Sequence, residues 1–257
     1  MKVWHMSGAG NDFAVIDVRD RQPDLAELAK SLCKRLGTDG FMALDRSETA
    51  DFRLHFYNSD GTRGEMCGNG ARCICHVARL LGIAKDTMAV ETDAGPVYGR
   101  YLGGDRYRIR LNLPGLVDLN RRPDGAYVEL GDPGIPHSVT FLQQLDYSQK
   151  EALRPLALAI RHDPVFPKGV NVNFCVTVDE SHARLLTYER GVEDFTLACG
   201  TGSASVAVVL WLTGRLPGGK LEIENPGGLL TVTVEGGDAI ENIYLEGPAV
   251  LINQYEY

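Results

Sequence analysis

One stretch of this chain occurs twice. A strand-like run ending at Tyr57, a loop, the turn Cys67-Gly68-Asn69-Gly70 and an apolar helix-like run follow one another in the first half. In the second half the run Arg184 to Tyr188, a loop, the turn Cys199-Gly200-Thr201-Gly202 and another helix-like run repeat the order. Tyr57 and Tyr188 are 131 positions apart and Cys67 and Cys199 are 132 apart, so one inserted residue relates the copies. A period this long, present twice, marks a duplicated domain, because a solenoid needs several short repeats to bury its faces. The expected product is an α/β protein of two pseudo-symmetric lobes, with its ligand site in the cleft between them.

Local patterns fill in the lobes. Residues 1–18 read as two strands around a turn at Gly8 and Gly10, and Asp24 to Leu36 carries helical apolar spacing stopped by Gly37. Phe52 to Tyr57 alternates like a strand, Asn58-Ser59-Asp60-Gly61 turns the chain, and Ala71 to Leu81 reads as a helix ended by Gly82. Short strands are expected at Thr87–Thr92, Val97–Tyr101 and Tyr107–Leu113, with Pro114-Gly115 as punctuation. The second half opens on a Gly-marked strand from Gly134 to Phe141 and later has a helix over Ser203–Leu212, stopped by Gly214. These marks place an N-terminal lobe at 1–115 and a C-terminal lobe at 116–247.

At 257 residues the chain has room for two buried cores. Its net charge of -8 excludes a phosphate-backbone partner, which needs clustered Lys and Arg to displace counterions. No apolar run approaches the roughly 18 residues of a membrane span, and the start, Met1 to Gly8, has no apolar signal core, so the expected location is the cytoplasm. In that reducing setting the six cysteines are expected as free thiols. The spacing over residues 67–76 is not that of a zinc site, and no metal or cofactor is expected.

Each Cys-Gly-x-Gly turn stands just before a helix, where unpaired backbone N–H groups and the positive dipole end favour a thiolate and an anionic ligand. The glycines let that ligand approach without a Cβ clash, and Asn69 and Thr201 are expected to cap the helices. One such turn fits a buried structural cysteine equally well; two at equivalent places of a repeat point to paired chemistry. Removing an α-proton from an amino acid drives charge onto its carboxylate, which needs preorganised donors. Two helix N-termini supply them, and a thiolate with a thiol on opposite faces moves one proton off and another on, inverting the centre.

Further motifs occur in order from near residue 6 to Gly247-Pro248-Ala249. They are Gly10-Asn11-Asp12-Phe13, Asn58-Ser59-Asp60-Gly61, Glu65-Met66-Cys67-Gly68-Asn69-Gly70-Ala71-Arg72-Cys73, Pro136-His137, Val170-Asn171, Tyr188-Glu189-Arg190-Gly191 and Ala198-Cys199-Gly200-Thr201-Gly202. Together they resemble diaminopimelate epimerase. The resemblance implies a pyridoxal-independent isomerase that interconverts LL- and meso-diaminopimelate in lysine and cell-wall biosynthesis, working as a homodimer. It implies α/β (α+β) lobes, each a curved mixed or antiparallel sheet around a central helix, with a C-terminal strand over 248–257 packing back on the first lobe. It also implies Cys67 and Cys199 as the acid/base pair, His137 and Glu189 as residues that tune their pKa values, and Gly68, Asn69, Gly200 and Thr201 around the reacting end of the substrate. Asn11, Asn58, Asn171, Glu189 and Arg190 then line the rest, Arg190 as a fork for a carboxylate.

Two positions depart from the pattern. Ile135 stands where family members commonly carry Asn, and Gly40 where some carry Gln. Losing polar contacts reshapes a pocket's preference, so a racemase of the same family for another amino acid, such as histidine, is the alternative. An alternative of another class is a thiol redox or ligand-binding protein in which the two cysteines pair without turnover.

Overall fold

The computed structural model describes residues 1–64, 67–131 and 134–257; Glu65 and Met66 of the first cysteine motif lie outside the described residues. The chain divides into two units, one of residues 1–110 and 246–257, the other of residues 111–245. Among the described residues no helix is long and apolar enough to cross a membrane.

In the first unit, β1 (Lys2–Gly8) and β2 (Asn11–Asp17) form an antiparallel hairpin. It turns on Ala9 and Gly10, both with positive φ (56° and 88°), the two-residue turn whose twist matches its strands. Helix α1 (Leu25–Leu36) follows, capped by Asp24 accepting from the N–H groups of Ala26 and Glu27 and closed by left-handed Gly37. β3 (Gly40–Asp45) lies parallel to β2, and β4 (Phe52–Asn58) antiparallel to β3. The short β5 (Arg63–Gly64) leads toward α2 (Gly68–Leu80). β6 (Thr87–Glu91) then pairs parallel with β4, and β7 (Val97–Gly103) and β8 (Arg106–Leu111) continue antiparallel. The last strand of the chain, β18 (Val250–Glu256), lies antiparallel on β1.

The second unit repeats this wiring. β9 (Pro114–Arg122) lies on β10 (Gly125–Gly131) as β18 lies on β1. β10 and β11 (Gly134–Phe141) form the hairpin, α3 (Lys150–Arg161) follows, and β12 (Asn171–Thr177) returns parallel to β11. β13 (His182–Glu189) runs antiparallel to β12, and the short β14 (Asp194–Thr196) leads to α4 (Gly200–Leu212). β15 (Lys220–Asn225) pairs parallel with β13, and β16 (Gly228–Gly236) and β17 (Ile240–Pro248) complete the set.

Each sheet has a helix on both faces, which is why its central strands read as unbroken apolar runs rather than alternating ones. Along β2 and β3, Ala14, Ile16, Phe41 and Ala43 pack with Ala29 and Leu32 of α1. The side chains between them, Phe13 and Met42, point to α2, where they lie within reach of a Cβ built on Gly70. In the second unit Val172 and Phe174 of β12 pack with Ala157 and Ile160 of α3, leaving Asn171, Asn173 and Cys175 for the α4 face. The expected two-lobed α/β fold with a central helix in each sheet is therefore present.

Three local expectations need correction. Both central helices start three residues earlier than their apolar periodicity, at Gly68 and Gly200, since Gly-x-Gly has poor intrinsic helix propensity and is held helical by burial. The N-caps are consequently Cys67 and Cys199 themselves, with Asn69 and Thr201 inside the first turn. Pro114-Gly115 opens β9 instead of ending a strand region, a position where proline's missing donor costs nothing.

Candidate active site

Cys199 has extended backbone angles (φ −118°, ψ 109°) and its sulfur caps α4, accepting from the Gly202 N–H at 3.4 Å. Its Sγ lies 3.5 Å from the Thr201 hydroxyl oxygen. Glu189, at the end of β13, accepts from the Thr196 hydroxyl at 2.9 Å and bonds to the Cys199 thiol. Burial, then the Glu189 charge, push the thiol well above its ordinary range, outweighing the Thr201 and Gly202 contacts that favour the thiolate. The helix dipole was expected to bring this cysteine down; in the folded unit Cys199 is held as the thiol.

Beneath the first turn of α4 lies a buried polar cluster. Asn173 donates to His137 Nδ1 (3.2 Å) and to the Ser138 carbonyl (2.9 Å), and its Oδ1 accepts from the Thr187 hydroxyl (2.9 Å). Because Nδ1 accepts, the ring proton belongs on Nε2, which has no hydrogen-bond partner among the described residues. Full burial, and secondarily the Arg190 charge, push His137 down to about 3, so the ring is neutral at neutral pH. Asn171 sits one strand register away, donating to the Pro136 carbonyl (3.2 Å) and accepting from the Arg190 N–H (2.8 Å). The exposed Arg190 guanidinium donates to the Lys168 carbonyl at 2.8 Å. Glu193 is taken by Arg161 at 2.7 Å, and among the described residues Arg190 makes no ion pair.

In the first unit Cys67 holds the same place, N-cap of α2 with extended angles (φ −131°, ψ 122°), and is half-buried. Asn69 donates to Asn11 Oδ1 at 2.6 Å, Asn11 donates to Asp39 at 3.3 Å, and Asn69 Oδ1 accepts from Arg72 at 3.0 Å. β1 lies so close to this turn that a Cβ on Gly8 would meet the Asn69 carbonyl oxygen at 2.8 Å. Asn58 is exposed at the end of β4, donating to the Thr62 hydroxyl at 3.0 Å. Gly40 and Ile135 also have physical settings. A Cβ at Gly40 would meet the Phe56 ring at 2.9 Å and the Tyr57 carbonyl oxygen at 3.2 Å, and Ile135 is half-buried opposite Leu130.

The strand registers align the two halves residue by residue. Phe41 faces Tyr57 as Val172 faces Tyr188, so Asn58 and Glu189 occupy equivalent ends of equivalent strands. Met42 faces Phe56 as Asn173 faces Thr187, and Phe13 pairs with Gly40 as His137 pairs with Asn171. By these registers Phe13, Met42 and Phe56 of the first unit stand where His137, Asn173 and Thr187 stand in the second. Sequence reasoning missed Asn173, Thr187, Asp39 and Arg72. Only Asn173 left a signal, since Asn171 and Asn173 are two apart on one strand and share a face.

Two like α/β units, each opening its buried central helix with a cysteine, define a duplicated α/β fold. A hydroxyproline epimerase from Agrobacterium vitis shares it, with a TM-score of 0.75 at 15% identity over 99% of this chain and 90% of that one. So does a phenazine biosynthesis protein of the PhzF family from Bacillus anthracis, with a TM-score of 0.74 at 16% identity over 100% and 98%. At such identities the likeness is one of fold. The sequence is closer to another group: the family model described as diaminopimelate epimerase matches residues 3–100 and 131–252. The diaminopimelate epimerase of Chlorobaculum tepidum is 38% identical over 95% of this chain and 96% of its own, and that of Aquifex aeolicus 32% over 96% and 94%. The chain belongs to the diaminopimelate epimerase family, and it is an isomerase that inverts an amino-acid α-carbon.

Proposed function

We propose that this isomerase interconverts LL- and meso-diaminopimelate by two-base thiol chemistry, with Cys67 and Cys199 as the pair and no pyridoxal or metal. The observation that carries the reading is the equivalence of the two cysteines: each caps the central helix of one copy of the same fold. One thiolate takes the α-proton while the other thiol returns a proton to the opposite face, and the roles exchange for the other stereoisomer. Charge arising on the α-carboxylate is received by helix-opening N–H groups at Gly68, Asn69, Gly200 and Thr201, which have no carbonyl within their helices. Asn11, Asn58, Asn171, Glu189 and Arg190 bind the rest of the substrate, Arg190 taking its far carboxylate. Glu189 sets the Cys199 proton, and the Nε2–H of His137, without a hydrogen-bond partner among the described residues, offers a further donor. We propose a homodimer in the cytoplasm as the working form, with Val250, Leu251 and Ile252, three successive exposed apolar side chains on β18, as part of its interface.

The deciding experiment is α-deuterium incorporation from heavy water into diaminopimelate, with protein freed of metal and pyridoxal. Incorporation into both stereoisomers is expected. Its absence, with exchange into histidine or another amino acid of a panel, assigns the same chemistry to a different side chain.

A further inference from the structure

The duplication supplies an internal control, because the two cysteines have the same backbone setting and different charged neighbours. Five residues into α2 stands Arg72; five residues beyond Cys199 in α4 stands Ala204. At the ends of β4 and β13 the asymmetry reverses, with neutral Asn58 in the first unit and Glu189 in the second.

Arg72 is fully buried, and among the described residues its hydrogen bonds go only to neutral oxygens: the Gly68 carbonyl (3.3 Å), Asn69 Oδ1 (3.0 Å) and the Pro248 carbonyl (3.2 Å). Helical side chains lean toward the N-terminus, and the contact with Gly68, four residues back, brings the guanidinium to the turn that Cys67 opens. Burial pulls Arg72 down only to about 10, so it stays cationic at neutral pH, and the groups whose negative forms attract it most are Cys73 and then Cys67. A buried cation with no carboxylate beside it among the described residues is costly unless an anion completes the site. Cys73 and Cys75, on α2 itself, do not supply that anion, since burial raises both thiols, Cys75 to about 12. Among the described residues the other charged groups facing this turn are Arg106 of β8, which adds positive potential, and Asp12 of β2, which is already paired with His5 at 3.1 Å.

We propose that Arg72 is a positioning residue that keeps Cys67 ionised, and that Arg72 and Glu189 together set the resting pair as a Cys67 thiolate and a Cys199 thiol. The same guanidinium holds Asn69, which holds Asn11, so charge and substrate-side geometry are fixed by one group. Assigning these two states to base and acid rests on the two-thiol reading above. The states themselves are measured without turnover, so failure of the substrate assignment and failure of this proposal are distinguishable.

The test is iodoacetamide labelling from pH 5.5 to 10 on the full chain, with peptide mass spectrometry reading Cys67 and Cys199 in one sample. Cys67 is expected to label with a midpoint below the ordinary thiol value of about 8.5, and Cys199 with a midpoint above it. R72Q should raise the Cys67 midpoint by about one pH unit or more, slowing its labelling at pH 7 roughly tenfold, and leave Cys199 unmoved. R72K should restore most of the shift, and E189Q should lower the Cys199 midpoint only. An unchanged Cys67 midpoint in R72Q that retains its near-UV circular dichroism overturns the proposal. So does a wild-type Cys67 midpoint at or above that of an ordinary thiol, a measurement that needs no variant to fold.

Discussion

At the scale of single residues, what sets the chemistry is the company each ionisable group keeps. Replacing either cysteine by alanine should lower turnover by about two to four orders of magnitude, the usual worth of a positioned acid or base, while thermal unfolding stays close to wild type. Loss of activity in only one of the two variants would remove the two-base reading. His137 carries a stability prediction. Its pKa in the fold lies below the ordinary 6.5, at about 3, so the fold favours the neutral ring. The resulting stabilisation is complete above pH 6.5 and is lost as pH falls from there toward 3, on the order of 5 kcal/mol for the whole range. Urea unfolding at pH 7 and pH 4 should show a steeper loss for wild type than for His137→Phe, which installs the residue type of the equivalent Phe13; equal losses would contradict it. The cysteines, Arg190 and the four asparagines of the site were legible as motifs, since each stands in a short, specific local pattern. The roles of Arg72, Asn173 and Thr187 were not, because they come from partners outside such patterns: Pro248 for Arg72, His137 for Asn173, and Asn173 for Thr187.

At the scale of elements, the glycines of the cysteine turns separate the two halves. A Cβ on Gly202 would lie 2.2 Å from Asn173 Oδ1, a buried atom already engaged by Thr187, whereas one on Gly70 would meet the flexible Met42 sulfur at 3.0 Å. G202A should therefore cost about 1–3 kcal/mol and G70A less, read as shifts in the thermal midpoint. Adding N173S to G202A should recover part of the loss; strict additivity in this cycle would show that the clash is not with Asn173. Helix α1 was readable from its own residues, with Asp24 before it, Gly37 after it and an apolar face between. The first turns of α2 and α4 were not, for there the helix is imposed on Gly-x-Gly by burial against the sheet. Strand β3 escaped notice for a related reason: with helices on both faces, Gly40 to Leu44 shows no alternation to mark it.

At the scale of the whole molecule, five buried thiols, Cys33, Cys73, Cys75, Cys175 and Cys199, are all raised, chiefly by burial. Their pKa values in the fold exceed the ordinary thiol value, so the stability they lend is present below pH 9 and lost as pH rises through the raised values. Unfolding midpoints should fall between pH 8.5 and 11, and replacing Cys175 by alanine or valine should soften that fall; an identical alkaline profile would argue against it. The sequence by itself determined that the chain is a doubled unit, that each copy presents a cysteine at a helix start, and which family it joins. Those facts reside in repetition and short-range pattern, which need no knowledge of distant contacts. Only the tertiary structure decided how the two copies differ. It buries Arg72 at the Cys67 turn and sets Glu189 against Cys199, and charge separated from water acts over a few ångströms of space, whatever the distance along the chain.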